Sequence, residues 1–223
     1  MKRVVVFASG TKDGGGSGFQ ALVEKMRMGV LRADIVSVVS QHERGGVRKH
    51  AKNFDIPFHY FHGAKDAGAE DYRRIVEEAK ADFVFLSGWM HRTQGLDPRT
   101  TINIHPGPLP EFGGKGMYGR RVHTAVMKAF RSGKLTVSAV SMHFVTDEYD
   151  CGPVFFQCPV GILARDTPES LKKRVNDAEH VWQAYVSDFV VQGKIHWDGK
   201  NPKSLVVPPD YPFHRPVKLF QAS

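Results

Sequence analysis

The chain has 223 residues and no apolar run long enough to span a bilayer; its longest candidates are the size of strands. That excludes a membrane-spanning helix as the organising element. Cysteine is scarce: Cys151 and Cys158 are the only two, seven residues apart with a strand-like segment between them. This spacing excludes a disulfide scaffold and suits a reducing, cytosolic setting. Among eleven histidines there is no HxxxH or H-E-x-x-H arrangement, so no metal site is expected. A GxSxG elbow is also missing, and the GGGSG loop after the first strand is neither the GxGxxG fingerprint nor a P-loop, so common catalytic and nucleotide-binding devices are not in evidence there. No internal repeat, linker or low-complexity block occurs. MKRVVVFASG opens with basic residues and an apolar run, but that run is too short, and meets a glycine-rich turn too soon, to act as a signal peptide.

What is present is an ordinary globular composition, 41% hydrophobic and 24% charged, with a formal net charge of +8. Lys and Arg are spread from Lys2 to Lys218 rather than gathered on one stripe, so a nucleic-acid partner is not favoured. A positive field suits anionic small molecules equally well.

Strand and helix patterns alternate along the chain. RVVVFAS (3–9) reads as a strand closed by TKDGGGSG, and FQALVEKMRMG then places apolar residues at helical spacing. ADIVSVVSQ (33–41) reads as a strand, RGGVRKHAKNF as a short helix, IPFHYF as a strand and AEDYRRIVEEAKA as an amphipathic helix. ADFVFLSGW (81–89), nearly all apolar, reads as a central parallel strand, and TINIH follows as a fifth. The βα rhythm predicts an α/β fold with a doubly wound, mostly parallel sheet. From about residue 134 the rhythm changes. KLTVSAVSMHF and VFFQCPVGI, joined by TDEYDCGP, read as a hairpin, an antiparallel extension in the C-terminal half. A helix then starts with Thr167 as cap, Pro168 in the first turn and Glu169 at the positive dipole end. Residues 1–200 read as one domain, and 201–223 as a Pro-rich tail without regular structure.

In parallel sheets ligands gather at the carboxyl ends of the strands, and three marked loops fall there: GTKDGGGSG, SGWMHR and HPGPLP. GGGSG (14–18), ahead of a helix, can expose backbone N–H groups to an anion, with Ser17 adding a hydroxyl; a plain flexible turn is the alternative. In INIHPGPLP, Asn103 and His105 lie two apart on one face of a strand that Pro106, Gly107, Pro108 and Pro110 bring to an end. An amide beside an imidazolium suits charge on a tetrahedral intermediate, and a carboxylate such as Asp150 would raise the imidazole pKa. A satisfied polar pair at a strand end is the plainer reading. Trp89 and Met90 are either core or the floor of a planar-ligand slot. Ser87 reads as the end of a strand, and DEYD (147–150) as a solvated acidic turn.

INIHPGPLP, FGGKGMYGRRVHTAV and HFVTDEYDCGPV together closely resemble the glycinamide ribonucleotide transformylases, folate-dependent formyltransferases with a Rossmann-like fold. The likeness runs from Phe7 to Lys194. It implies Asn103, His105 and Asp150 as catalytic residues. It places Met90, His91, Arg92 and Thr93, with Asn103, on the folate side, largely through backbone groups. It puts Gly16, Ser17 and Gly18 at the substrate phosphate and Glu179 at the glycinamide and ribose. The implied activity is formyl transfer from 10-formyltetrahydrofolate, as co-substrate, to glycinamide ribonucleotide in purine synthesis. No metal is expected, and the protein would be a cytoplasmic monomer or homodimer. Three departures stand out: a longer first loop, TKDGGGSGF, Gly18 where the family usually has asparagine, and no arginine near Ala69, a loss of charge that Lys115 or Arg120 could offset. A formyltransferase for another amine, such as a sugar nucleotide, and a silent basic nucleotide- or RNA-binding module are the alternatives. Methionyl-tRNA formyltransferase would need a carboxy-terminal nucleic-acid domain, and formyltetrahydrofolate hydrolase an amino-terminal regulatory one.

Overall fold

The computed structural model describes residues 1–211. Seven strands form one sheet: β1 (Lys2–Phe7), β2 (Ala33–Ser40), β3 (Phe58–Tyr60), β4 (Phe83–Ser87), β5 (Thr101–His105), β6 (Val137–Phe144) and β7 (Val154–Gly161). Their order is β3-β2-β1-β4-β5-β6-β7. The pairs from β3 to β5 are parallel, and β5–β6 and β6–β7 are antiparallel. Five helices cover the sheet: α1 (Ser17–Arg27), α2 (Gly46–Phe54), α3 (Ala69–Glu78), α4 (Arg120–Arg131) and α5 (Pro168–Val191).

Alternation along β1 explains the layers. Val4 and Val6 enter the larger core with Phe19 and Leu22 of α1, Val122 and Val126 of α4, and Val175 and Val186 of α5. Val5 and Phe7 enter a smaller core on the other face with Tyr72 and Ile75 of α3. A parallel strand covered on both faces has to be apolar at every position, which is why β1 and β4 read as unbroken runs. Strand β1 lies between β2 and β4, so the winding reverses there, and the loops after β1 and β4 diverge around a crevice. The long helix α5 starts as expected. Ser170 N donates to Thr167 Oγ1 at 3.2 Å and Thr167 N donates to Ser170 Oγ at 3.0 Å, closing a reciprocal cap.

As the sequence reading has it, TINIH follows the fourth strand directly: residues 88–100 run as loop and turns into β5. The structure departs from that reading in two places. A helix absent from that reading, α4, fills the β5–β6 connection and buries Val122, His123, Val126 and Met127 at helical spacing. The tail is also more ordered than expected over its described part. Residues Pro202–Ser204 form a 3-10 turn, His196 bridges to Val206, and Tyr211 is buried against Phe156 and Phe189. The rest of the tail, 212–223, lies outside the described residues.

Candidate active site

Strand β5 sends Ile102 and Ile104 into the larger core, so the two-residue period leaves Asn103 and His105 together on the opposite face. Asn103 is partly exposed, whereas His105 is 3% exposed. The HPGPLP turn is held from β6 and β7. Ser141 Oγ donates to Gly107 O at 2.7 Å, and Gln157 Nε2 donates to Leu109 O at 2.9 Å. Asp150, 45 residues downstream in sequence, arrives through the β6–β7 connection in a left-handed conformation with φ 54°. That connection folds back so tightly that a Cβ on Gly152 would lie 1.8 Å from Phe144 O.

Asp150 faces both buried imidazoles. Its Oδ2 lies 3.7 Å from His105 Nδ1 and accepts from Gly114 N at 2.9 Å, while its Oδ1 lies 3.4 Å from His143 Nε2. His143 stands opposite Asn103 in the β5–β6 register, with its Nε2 3.0 Å from Asn103 Nδ2. The motif reading did not single out this histidine. Its signal was present, because aligning INIH antiparallel to SMHF puts a histidine across from the amide.

Burial is the largest influence on the Asp150 carboxyl and pushes it up. The contacts with His143 and His105 and the Gly114 N–H outweigh burial and leave it below the ordinary value, so it is ionised at neutral pH. His105 behaves the other way. Burial holds its pKa below the ordinary value, against the opposing pull of Asp150 and of the Phe112 carbonyl, with His143 adding to the lowering. Asp150 does raise the His105 pKa as expected, but burial outweighs it and the net shift in this conformation is downward. Phe112 O accepts from His105 Nε2 at 2.8 Å and, with the glycine-rich segment behind it, covers the ring. Above it on α4, burial lowers the pKa of His123 to about 4, so that ring is neutral too.

The β4 loop presents the expected folate-side residues as backbone. Met90 N donates to Ser9 Oγ at 3.0 Å, Tyr72 Oη donates to Arg92 O at 2.8 Å, and Arg92 Nε donates to Asp147 O at 2.8 Å. These contacts clamp the loop yet leave the backbone N–H and C=O of His91 and Thr93 without partners among the described residues. The His91 Nε2 is also buried without a partner. Unpaired donors and acceptors on a clamped loop fit a flat heterocycle that carries its own donors and acceptors. Trp89 is core, packed on Phe7 and Phe61, while Met90 is 40% exposed beside it. Ser87 ends β4, and its hydroxyl donates to Gln183 Oε1 at 2.9 Å.

The loop after β1 opens α1 with Gly16 in the left-handed region, φ 85°. A Cβ there would lie 2.9 Å from Val47 Cγ2, so the close approach to α2 also requires glycine. The first N–H groups of α1 point out of the helix end, the arrangement that suits an anion. Helix α5 crosses this end, with His180 Nε2 3.1 Å from Ser17 Oγ, and carries Glu179 alongside. Burial pushes the Glu179 carboxyl up to about 7, against the Asn176 hydrogen bond and Lys172. The glycine at 18 has a structural reason: a Cβ there would lie 2.3 Å from Ser87 Oγ. Ala69 opens α3 packed against Gly95, and Arg120 pairs with Glu169 on the surface. No cluster of three His, Cys, Asp or Glu suited to a metal occurs among the described residues, and no helix among them is long and apolar enough to cross a membrane.

Loops after the neighbouring strands β1, β4 and β5, and an amide and an imidazole backed by a carboxylate, lie at the carboxyl ends of the sheet, where enzymes of this doubly wound class hold their ligands. Residues 2–188 match the family model described as formyl transferase, and the chain belongs to that family. It is 34% identical over 206 residues to the chloroplastic phosphoribosylglycinamide formyltransferase of Arabidopsis thaliana, covering 88% of this chain and 68% of that protein. It is 30% identical over 191 residues to the phosphoribosylglycinamide formyltransferase of Bacillus subtilis, covering 82% of this chain and 91% of that protein. The chain spans 63% to 68% of the length of the plant relatives. The crystal structure of phosphoribosylglycinamide formyltransferase from Anaplasma phagocytophilum superposes with a TM-score of 0.76 at 27% identity, covering 99% of each chain.

Proposed function

We propose that this protein transfers the formyl group of 10-formyltetrahydrofolate to the amine of glycinamide ribonucleotide. The observation that carries the reading is the convergence of Asn103, His105 and Asp150 beside a glycine-rich anion cradle. The acceptor phosphate sits on the N–H groups of Gly16, Ser17 and Gly18. Glu179 accepts hydrogen bonds from the ribose and glycinamide end. The pterin lies on the backbone of Met90, His91, Arg92 and Thr93. Holding both substrates in one crevice places the amine in line with the formyl carbon and removes most of the entropic cost of their encounter.

The amine nitrogen attacks the formyl carbon, and negative charge grows on the formyl oxygen. Asn103 donates to that oxygen; loss of one such donor costs about a hundred- to a thousandfold in rate. His105 supplies the second donor. For its Nε2–H to reach the oxygen, the Phe112 carbonyl has to give way. Uncovering the ring removes the burial that lowers its pKa and leaves Asp150 to favour the imidazolium. The C–N bond to the folate then breaks, and the proton lost by the attacking nitrogen reaches the departing one through His105 or water.

Residues 1–200 act as this one catalytic unit, with a Pro-rich tail from 201 and a monomer or homodimer as the working form. Both thiols are free, as in a reducing compartment such as the cytoplasm. The deciding assay supplies 10-formyltetrahydrofolate with glycinamide ribonucleotide, with an amino-sugar nucleotide, or with no acceptor amine, and follows tetrahydrofolate release. Release that depends on glycinamide ribonucleotide is expected. Equal release without an amine would mean hydrolysis, and preference for the sugar nucleotide would reassign the acceptor.

A further inference from the structure

We propose that His143 is the positioning residue that decides which end of the Asn103 carboxamide faces the reacting carbonyl; this rests on the formyl-transfer reading above. His143 is 1% exposed and cannot itself touch a ligand. Its influence runs through hydrogen bonds whose direction follows from chemistry. The Nδ1 atom is 2.7 Å from Phe144 O, and a carbonyl oxygen only accepts, so Nδ1 carries a proton. A neutral ring protonated there has a lone pair on Nε2. That lone pair, 3.0 Å from Asn103 Nδ2, accepts one amide N–H. Turning the amide over would set the Oδ1 lone pairs against the ring lone pair. His143 thereby holds Asn103 with its NH2 group inward and its second N–H unspent. That second N–H is the group needed for a developing oxyanion.

An unsupported terminal amide has no such preference, because its two ends are alike in shape. The cross-strand register makes the arrangement rigid. Asn103 and His143 are directly opposed on β5 and β6, so neither shifts without moving the sheet. Asp150 Oδ1, 3.4 Å from Nε2, pulls in the other direction: a second proton on the ring would point at it and leave the Asn103 N–H facing a donor.

The test is a double-mutant cycle in steady-state kinetics, joined to an NMR measurement on the wild type. His143→Leu should lower kcat by about ten- to a hundredfold with both KM values within about threefold, and His143→Gln, whose Oε1 can accept in place of Nε2, should recover most of the loss. In an Asn103→Ala background, His143→Leu should change the residual kcat by less than about threefold. An undiminished effect in that background, or a loss carried by KM, would overturn the proposal. Long-range 1H–15N spectra of the wild type should show His143 protonated at Nδ1 and bare at Nε2. A proton on Nε2 would overturn it even if every variant misfolded. The spectrum is read without turnover, so a protein that transfers no formyl group would sink the functional reading and leave this arrangement separately testable.

Discussion

Replacing Asp150 by asparagine removes one negative charge and little else. The amide keeps an oxygen for the Gly114 N–H, so the glycine-rich segment retains its 2.9 Å anchor. What disappears is the attraction between Oδ2 and a proton on His105 Nδ1 across 3.7 Å. At that distance a unit charge pair is worth about 1 kcal/mol in bulk water and about 4.5 kcal/mol at an effective dielectric constant near 20. Each 1.4 kcal/mol is tenfold in rate, so kcat for formyl transfer should fall between roughly fivefold and about two thousandfold, with both KM values nearly unchanged. The pH profile supplies the sign. Asp150 raises the His105 pKa and burial lowers it, so removing the carboxylate lowers it further. Activity that needs the imidazolium falls as pH rises through that pKa, and in Asp150→Asn the fall should begin at lower pH. Measuring kcat by tetrahydrofolate release from pH 5 to 9, with circular dichroism as a check on folding, tests the reasoning. A folded variant with wild-type kcat, or with an unmoved pH limb, would refute it.

Glu179→Gln should raise KM for the acceptor while stabilising the fold at alkaline pH. The folded carboxyl titrates near 7, above its ordinary value, so the folded state holds an extra proton between about 4.5 and 7 and stability drops as pH rises through that window. Urea titrations at pH 8 should find the variant about 1–3 kcal/mol more stable than wild type, and near pH 4 the difference should vanish. Gly18→Ala drives a Cβ into Ser87 Oγ and should cost about 1–3 kcal/mol. In a Ser87→Ala background the same change should be neutral or stabilising, since alanine suits a helix better than glycine. Equal costs in both backgrounds would show that the contact is relieved by other movement.

Much of the architecture was legible because period and punctuation carried it. The unbroken apolar runs of β1 and β4, the TINIH strand and the Thr167–Pro168 start of α5 all follow from local chemistry that packing does not overrule. Helix α4 had a legible pattern as well, with Val122, Val126 and Met127 on one face. The direct run from β4 to β5 was legible too, since no helical period appears between ADFVFLSGW and TINIH. That stretch is held by a fixed-site clamp, with Arg92 and Gly95 bonded to Asp147 across the crevice.

The sequence by itself determined the alternation of elements, the placing of Asn103 and His105 on one strand face, and the glycine-rich loop before α1. Each of these depends on a few neighbouring residues and on backbone geometry. Only the tertiary structure decided that His143 stands between the amide and Asp150, that Phe112 covers His105, and that burial outweighs the carboxylate at that ring. Those outcomes depend on which segments distant in the chain meet and on how much water they expel, and both are properties of the packed molecule rather than of any local stretch.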